Sequence, residues 1–373
     1  MTLTNEQVLG YYSRRDIQKE LLSSAKDREV AVRFKDGGFG RRPDTLQFET
    51  DILEFAKQGV TSFHISEERW VDPLDLKTGM NRKQLDELRS GWDLVLDIDS
   101  PEVKYSKILS ELLYESLKFH DITNVGCKFS GNKGFHLIVP FESMPDSINN
   151  TETKLLFPEA ARIIASYLIS MVEKPFRERI AALKCKLDIE DLLKVDTVLI
   201  SSRHMFRAPY SLHEKSGLAS IPIDIERISE FEKEDAQIEK VITNIPFINY
   251  SSSAKNEIRN LLLQAYDWDS RNKKIIIMPE KEKVVKEFEE LDYKVELGFF
   301  PPCIKKGLEG VEDGKKRFLF ILLNFLKSVG WNYEETEDLA KEWNEKNEEP
   351  LKETYLLSQL SWHKRQTEKR LPP

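Results

Sequence analysis

The segment Gly91–Asp99 reads GWDLVLDID and ends in a pair of carboxylates. Leu94, Val95, Leu96 and Ile98 form an apolar, partly β-branched run of strand length, which predicts a buried strand. Side chains alternate faces along a strand, so Asp97 and Asp99 fall on one side and Ile98 on the other. Two anions that close repel one another; a divalent cation between them, or an exposed turn where water screens both, relieves the repulsion. An isolated Asp-x-Asp is more often a polar strand end than a metal site.

A second segment, Lys128–His136, reads KFSGNKGFH and runs into another apolar strand, Leu137–Pro140. This places Ser130, Lys133 and His136 on a tight turn. Gly131 and Gly134 would let the backbone approach a ligand, and the hydroxyl, cation and imidazole suit phosphate oxygens. Such turns are also common in surface hairpins. A third segment, Val195–Gly217, reads VDTVLISSRHMFRAPYSLHEKSG. Asp196 opens a β-branched run, and Arg203, Arg207, His213 and Lys215 follow. A carboxylate at a strand start with cations soon after is the composition expected where metal-bound phosphates are held, although alone it is an ordinary basic loop.

Taken in this order, over roughly residues 1–230, the three segments resemble the archaeo-eukaryotic primase superfamily, in particular the small catalytic subunit of archaeal and eukaryotic DNA primase. That family carries a D-x-D strand, an S-G-x-x-G-x-H element, a third Asp, a basic residue, and an S-x-H-x-K-(S/T)-G element. The matching residues are Asp97 and Asp99, Ser130–His136, Asp196, Arg207, and Ser211–Gly217.

The resemblance implies an α+β fold, an antiparallel-rich, RRM-like sheet bearing the carboxylates at its centre with helices outside, followed by a small all-α C-terminal domain. It implies a DNA primase: a nucleotidyltransferase that synthesises and extends primers on a single-stranded DNA template from NTPs or dNTPs. Asp97, Asp99 and Asp196 would hold two Mg²⁺ or Mn²⁺ ions. Ser130, Gly131, Lys133, His136, Arg207, Ser211, His213 and Lys215 would hold the nucleotide. Two alternatives stay open: a repair or gap-filling polymerase of the same superfamily without de novo initiation, and a non-catalytic nucleic-acid-binding subunit of the replisome.

The chain departs from the family pattern in places. Small subunits commonly insert a Cys- and His-bearing zinc knob near Lys104–Phe119, and no such cluster exists here, so no zinc is expected. Asn132 stands where relatives often have a basic residue. The spacing from Asp196 to Arg207 is one residue shorter than typical, and Asp188, Glu190 and Asp191 compete with Asp196 for the third carboxylate.

With 373 residues the chain can form two domains, and 40% hydrophobic with 32% charged residues describes a soluble globular protein. No run approaches the roughly 18–20 apolar residues of a membrane span, and MTLTNEQVLGYY lacks the basic-then-apolar order of a signal peptide. The expectation is a cytoplasmic, nucleoid-associated protein with no membrane partner, working beside other replication proteins. Three cysteines, Cys127, Cys185 and Cys303, are too scattered for a disulfide framework and read as buried thiols. The net charge of -8 weighs mildly against nucleic-acid binding, which needs local cations. Local basic segments exist, among them Lys35–Pro43, a Gly-rich turn in which Arg41 and Arg42 are candidates for template contact.

Helical spacing is expected over Asn5–Ala25 behind a Thr4 N-cap, over Lys104–Phe119 and over Phe157–Phe176, and strands over Arg28–Phe34 and Ile221–Ile225. His64 reads as an ordinary strand-end residue. Residues 1–249 form the catalytic part, 250–296 a connecting segment in which Val284–Leu297 could be helical, and 297–373 a helical part. The last resembles the C-terminal domain of the large primase subunit, through Pro301, Pro302, Cys303 and Trp343–Leu351. That domain holds an iron–sulfur cluster on four cysteines; only Cys303 corresponds, so no such cluster is expected from the residues present. Lys305, Lys306, Lys315, Lys316, Arg317 and Lys364 are its candidates for contact with the initiating nucleotide or the template–primer end.

Overall fold

The computed structural model describes residues 3–35, 37–183, 192–193, 200–276, 294–312 and 314–365. Two units are resolved, Met1–Ile277 and Met278–Pro373.

Unit 1 begins with a capping box. Thr4 Oγ1 accepts the Gln7 amide at 3.2 Å and Gln7 Oε1 accepts the Thr4 amide at 2.9 Å, which starts α1 (Asn5–Tyr12). The expected single helix breaks at extended Arg14 and resumes as α2 (Arg15–Ser24). Tyr11 and Tyr12 at the break are buried, their hydroxyls donating to the Tyr210 and Thr61 carbonyls. Then come β1 (Val30–Phe34), α3 (Glu49–Lys57), β2 (Val60–Ser66), β3 (Glu68–Trp70), α4 (Arg82–Leu88), β4 (Arg89–Trp92), β5 (Leu94–Ile98) and α5 (Val103–Phe119). The unit continues with β6 (Gly126–Phe129), β7 (Phe135–Val139), β8 (Ser147–Ile148), β9 (Thr151–Glu152), α6 (Glu159–Ala182), β10 (Met205–Arg207) and α7 (Arg259–Ile276).

The strands pair antiparallel in the orders β1-β2-β10, β3-β4, β5-β7-β6 and β8-β9. The fold is therefore α+β and antiparallel, as expected, with one difference. The carboxylate strand β5 lies at the edge of its sheet, and β7, which carries His136, is central. The run from Gly91 is also not one strand. Asp93 interrupts it, its buried carboxylate paired with Arg28 and Arg69 and accepting the Phe141 amide, so the residues before it pair with β3 instead.

The β5-β7-β6 sheet separates two cores. Leu94, Leu96, Ile98, Cys127, Phe129, Phe135, Leu137 and Val139 face the core shared with α5 and α6. Val95 and Ile138 point the other way, into the core built by α1, α2, α3 and the β1-β2-β10 sheet. Each fully buried Leu or Phe contributes roughly 1.5–3 kcal/mol, so the register that sets these faces is strongly specified. Ile221–Ile225, expected as a strand, is not one; it lies along β6, with the Phe129 amide on the Ile221 carbonyl and the Ile223 amide on the Cys127 carbonyl, both at 2.9 Å. It forms one isolated bridge, Lys128 with Pro222, because Pro222 has no N–H to extend a ladder. Beyond it, Ile258, Leu261, Leu262 and Ala265 are buried in the first core, so residues 250–276, read from sequence as connecting, pack within unit 1. Most of the Val284–Leu297 stretch lies outside the described residues.

Unit 2 is helical over its described residues: α8 (Pro302–Gly307), α9 (Lys315–Ser328), α10 (Tyr333–Glu345) and α11 (Glu353–Arg365). Pro302 opens α8, Gly330 takes φ 81° after α9, and Asn332 caps α10 by accepting the Glu335 amide at 2.9 Å. Leu319, Leu322, Leu323, Leu326 and Trp343 are central to its core. The indole of Trp343 donates to the Gly307 carbonyl at 2.9 Å. Among the described residues no helix is long and apolar enough to cross a membrane.

Candidate active site

The register of β5-β7-β6 sets Asp97, His136 and Lys128 side by side across three strands, on the face opposite the Leu and Phe core. His136 is thus a strand residue and not part of the turn. Its Nε2 lies 3.2 Å from Oδ1 of Asp97, and its Nδ1 is buried with no partner among the described residues. Lys128 is fully buried; its ammonium donates to Ser220 Oγ at 2.8 Å and lies 5.6 and 5.4 Å from the ring centroids of Phe206 and Phe247.

Burial and then the Lys128 cation hold the His136 pKa below its ordinary value against the pull of Asp97, so at pH 7 the ring is neutral and donates Nε2–H to the carboxylate. Burial raises the Asp97 pKa, but His136, electrostatically and then through its hydrogen bond, and after it Lys128 outweigh burial, and the net shift is downward, which keeps Asp97 ionised. Burial, followed by Arg207, pushes Lys128 well down.

Asp97, Asp99, Ser130, His136, Arg207 and His213 line one cavity of about 210 Å³, joined by His64 and Asn132. The structure thus brings together residues from all three sequence segments. The glycines of the turn serve the protein's own chain: a Cβ on Gly134 would sit 2.1 Å from the Ile98 carbonyl oxygen, and one on Gly131, whose φ is +97°, 2.9 Å from His213 Cβ. Ser130 Oγ accepts the Gly134 amide at 3.1 Å and closes the turn, and its own proton has no acceptor among the described residues. Lys133 and Lys215 are exposed and do not line the cavity. Ser211 is buried and accepts the Phe63 amide at 2.8 Å, tying its loop to β2.

Asp196 lies outside the described residues, with Asp188, Glu190, Asp191 and Cys185. Among the described residues no three His, Cys, Asp or Glu side chains are grouped to hold a metal. Asp97 and Asp99 facing one cavity nevertheless suit a hard divalent cation of the Mg²⁺ kind, which accepts one or two carboxylates and completes its shell with waters and substrate phosphates.

Further lining residues come from β10 and the loop after it. Arg207 pairs in register with His64 of β2. Its Nη1 donates to the Leu212 carbonyl at 2.8 Å and its Nη2 to Glu214 at 2.9 Å. Glu214 also accepts from Arg33 Nη1 at 2.5 Å and from Ser62 Oγ at 3.3 Å. Burial alone would raise its pKa, but Arg207, its own backbone amide, His213 and Arg33 pull it to about 2. Burial, reinforced by Arg207, brings His213 down to about 4. Nδ1 of His213 accepts the amides of Lys215 and Ser216 at 3.2 and 3.3 Å, which leaves the ring proton on Nε2.

Sequence reasoning passed over several of these residues. His64 is not a strand-end residue but an inner residue of β2 on the cavity wall. Lys128 and Glu214 stood inside the quoted segments; a lysine within an otherwise apolar strand was the available signal for the first. Glu67, 2% exposed, pairs with His204 Nδ1 at 2.7 Å, and burial followed by the Asp97 charge raises its pKa against that histidine.

Arg42, expected as a candidate for template contact, is engaged within the fold. It donates to both oxygens of buried Glu29 at 2.9 and 3.0 Å and to the Arg203 carbonyl at 2.7 Å, whereas Arg41 is exposed. In unit 2, Lys305, Lys306, Lys316, Arg317 and Lys364 are exposed and Lys315 is half-buried, Lys364 lying 4.3 Å from the Tyr333 ring centroid. Cys127 is buried as expected, but Cys303 is exposed.

Residues 103–225 match the family model of the DNA primase small subunit, a span that begins just after Asp99 and contains the Ser130–His136, Arg207 and Ser211–Gly217 elements. Over that span the chain is DNA primase small-subunit-like. The MJECS07 protein of Methanocaldococcus jannaschii is 24% identical over 283 residues, 68% of this chain; the chain spans 62% of the length of that relative. The polymerase domain of Mycobacterium tuberculosis ligase D in complex with DNA is similar with a TM-score of 0.41 and 16% identity, over 71% of this chain and 89% of that one. The archaeo-eukaryotic primase domain of the cyanophage S-2L primase-polymerase gives 0.31 and 12%, over 62% and 98%.

Proposed function

We propose that this DNA primase small-subunit-like chain is a DNA-dependent nucleotidyltransferase that synthesises and extends primers on single-stranded template, from NTPs or dNTPs, in the cytoplasm beside other replication proteins. The observation that carries the reading is the single cavity lined by Asp97, Asp99 and His136 together with Arg207 and His213. Carboxylates and hydrogen-bond donors lining one cavity suit a metal-bound triphosphate.

Asp97 and Asp99, with Asp196, would hold two Mg²⁺ or Mn²⁺ ions, which when bound lower the pKa of the attacking 3′-hydroxyl and neutralise charge on the leaving pyrophosphate. His136 keeps Asp97 ionised and aimed by donating Nε2–H. Arg207 supplies fixed guanidinium protons, and neutral His213 supplies Nε2–H without adding charge. Ser130 adds a hydroxyl proton, and Lys133 and Lys215 stand outside the cavity to attract the polyphosphate. Held in this way the triphosphate is oriented for in-line attack. Residues 297–373 would act as a large-subunit-like helical domain, Lys305, Lys306, Lys315, Lys316, Arg317 and Lys364 contacting the initiating nucleotide or the template–primer end.

The test is incubation of the protein with single-stranded template, Mg²⁺ or Mn²⁺ and labelled NTPs or dNTPs without primer, beside an Asp97→Ala/Asp99→Ala control. Products from the wild type alone support priming. Incorporation only when a primer is supplied turns the reading to gap filling, and no incorporation under either condition overturns it.

A further inference from the structure

The Glu214 side chain is 6% exposed and lies at the meeting point of Arg33, Arg207 and Ser62. It does not line the cavity, but its neighbours do. Arg207 is a direct partner, Ser62 Oγ lies 3.4 Å from Nε2 of the cavity residue His64, and the cavity residue His213 precedes Glu214 in the chain. With Nη1 on the Leu212 carbonyl and Nη2 on Glu214, both terminal nitrogens of Arg207 are tied to the loop that follows β10. The guanidinium plane is thereby set, and of its five N–H donors those not used by the loop can meet an anion. Glu214 also separates two arginines, Arg33 and Arg207, that would repel each other in a half-buried place.

We propose that Glu214 is a positioning residue that fixes Arg207 and the Ser62–His64 pair to receive the polyphosphate of an incoming nucleotide. This rests on the nucleotidyltransferase reading above for its substrate. Preformed donors cost no ordering when the anion arrives, so loss of the clamp appears in nucleotide binding more than in turnover.

The experiment compares wild type, Glu214→Gln and Glu214→Asp by calorimetric binding of inorganic tripolyphosphate, by KM and kcat for nucleotide in primer extension, and by melting temperature. Glu214→Gln is expected to raise the tripolyphosphate Kd and the nucleotide KM about tenfold, the loss of one charge-assisted hydrogen bond, with kcat within about twofold. Glu214→Asp, which keeps the charge, should recover part of both. A purely structural role would lower the melting temperature and leave Kd and KM in place, which overturns the proposal. So does tighter binding by Glu214→Gln, because the carboxylate would then act as a competitor of phosphate, and so does a wild type that binds no tripolyphosphate. If the wild type binds tripolyphosphate but extends no primer, the nucleotidyltransferase reading fails, while the order of the Kd values still decides the role of Glu214.

Discussion

Nε2 of His136 lies 3.2 Å from Oδ1 of Asp97, on antiparallel strands whose register sets the two residues opposite each other. His136, electrostatically and then through this hydrogen bond, is the largest influence holding the carboxylate below its ordinary pKa despite burial. His136→Gln weakens this donor, so the Asp97 pKa rises and the acid limb of the pH–rate profile moves to higher pH, by about one to two units for a lost charge-assisted bond. Single-turnover extension measured across pH checks this; an unmoved acid limb would mean that His136 does not set the ionisation of Asp97.

His213 has a folded pKa of about 4 against an ordinary 6.5. Below pH 6.5 the unfolded chain takes up a proton that the folded loop refuses, so the stability contribution is complete above that pH and is lost as pH falls through about 4. The melting-temperature difference between wild type and His213→Gln should therefore change across this window, in the direction that makes the variant less acid-sensitive. A difference that stays constant with pH would contradict the burial of the ring.

Gly134→Ala would place a methyl carbon 2.1 Å from the Ile98 carbonyl oxygen, a backbone atom that can yield only if the turn moves. Overpacking of this kind costs about 1–3 kcal/mol, and a lowered melting temperature with impaired extension is expected. Wild-type stability in the variant would show that the turn does not press on β5.

Arg42→Gln removes one of two arginines from the fully buried Glu29 carboxylate. A cost of about 1–3 kcal/mol is expected in thermal unfolding, with affinity for a labelled single-stranded oligonucleotide unchanged. Weakened oligonucleotide binding at undiminished stability would return Arg42 to template contact.

Much of the site was legible because its chemistry is local in the chain. Asp-x-Asp at a strand end, a Gly-flanked turn with Ser130, and an Arg–His pair around Ser211 are short patterns visible in the chain. Asp97, Asp99, Ser130, His136, Arg207 and His213 do meet in one cavity. What was not legible depends on partners far away. Arg42 reads as a free cation until Glu29 and Arg203 are seen beside it, and the helix expected through Asn5–Ala25 breaks where Tyr11 and Tyr12 reach Tyr210 and Thr61.

By itself the sequence determined that β5 is a strand with one apolar face and that Thr4 starts a helix, since alternation and capping act over a few residues. Only the tertiary structure decided that β7 and not β5 is central, that Lys128 lies beside His136, and that Glu214 ties Arg207 to Arg33 across residues distant in the chain. Strand order and register are chosen by the packing of whole cores, where one residue of slip would turn every apolar side chain outward, and no local pattern carries that information.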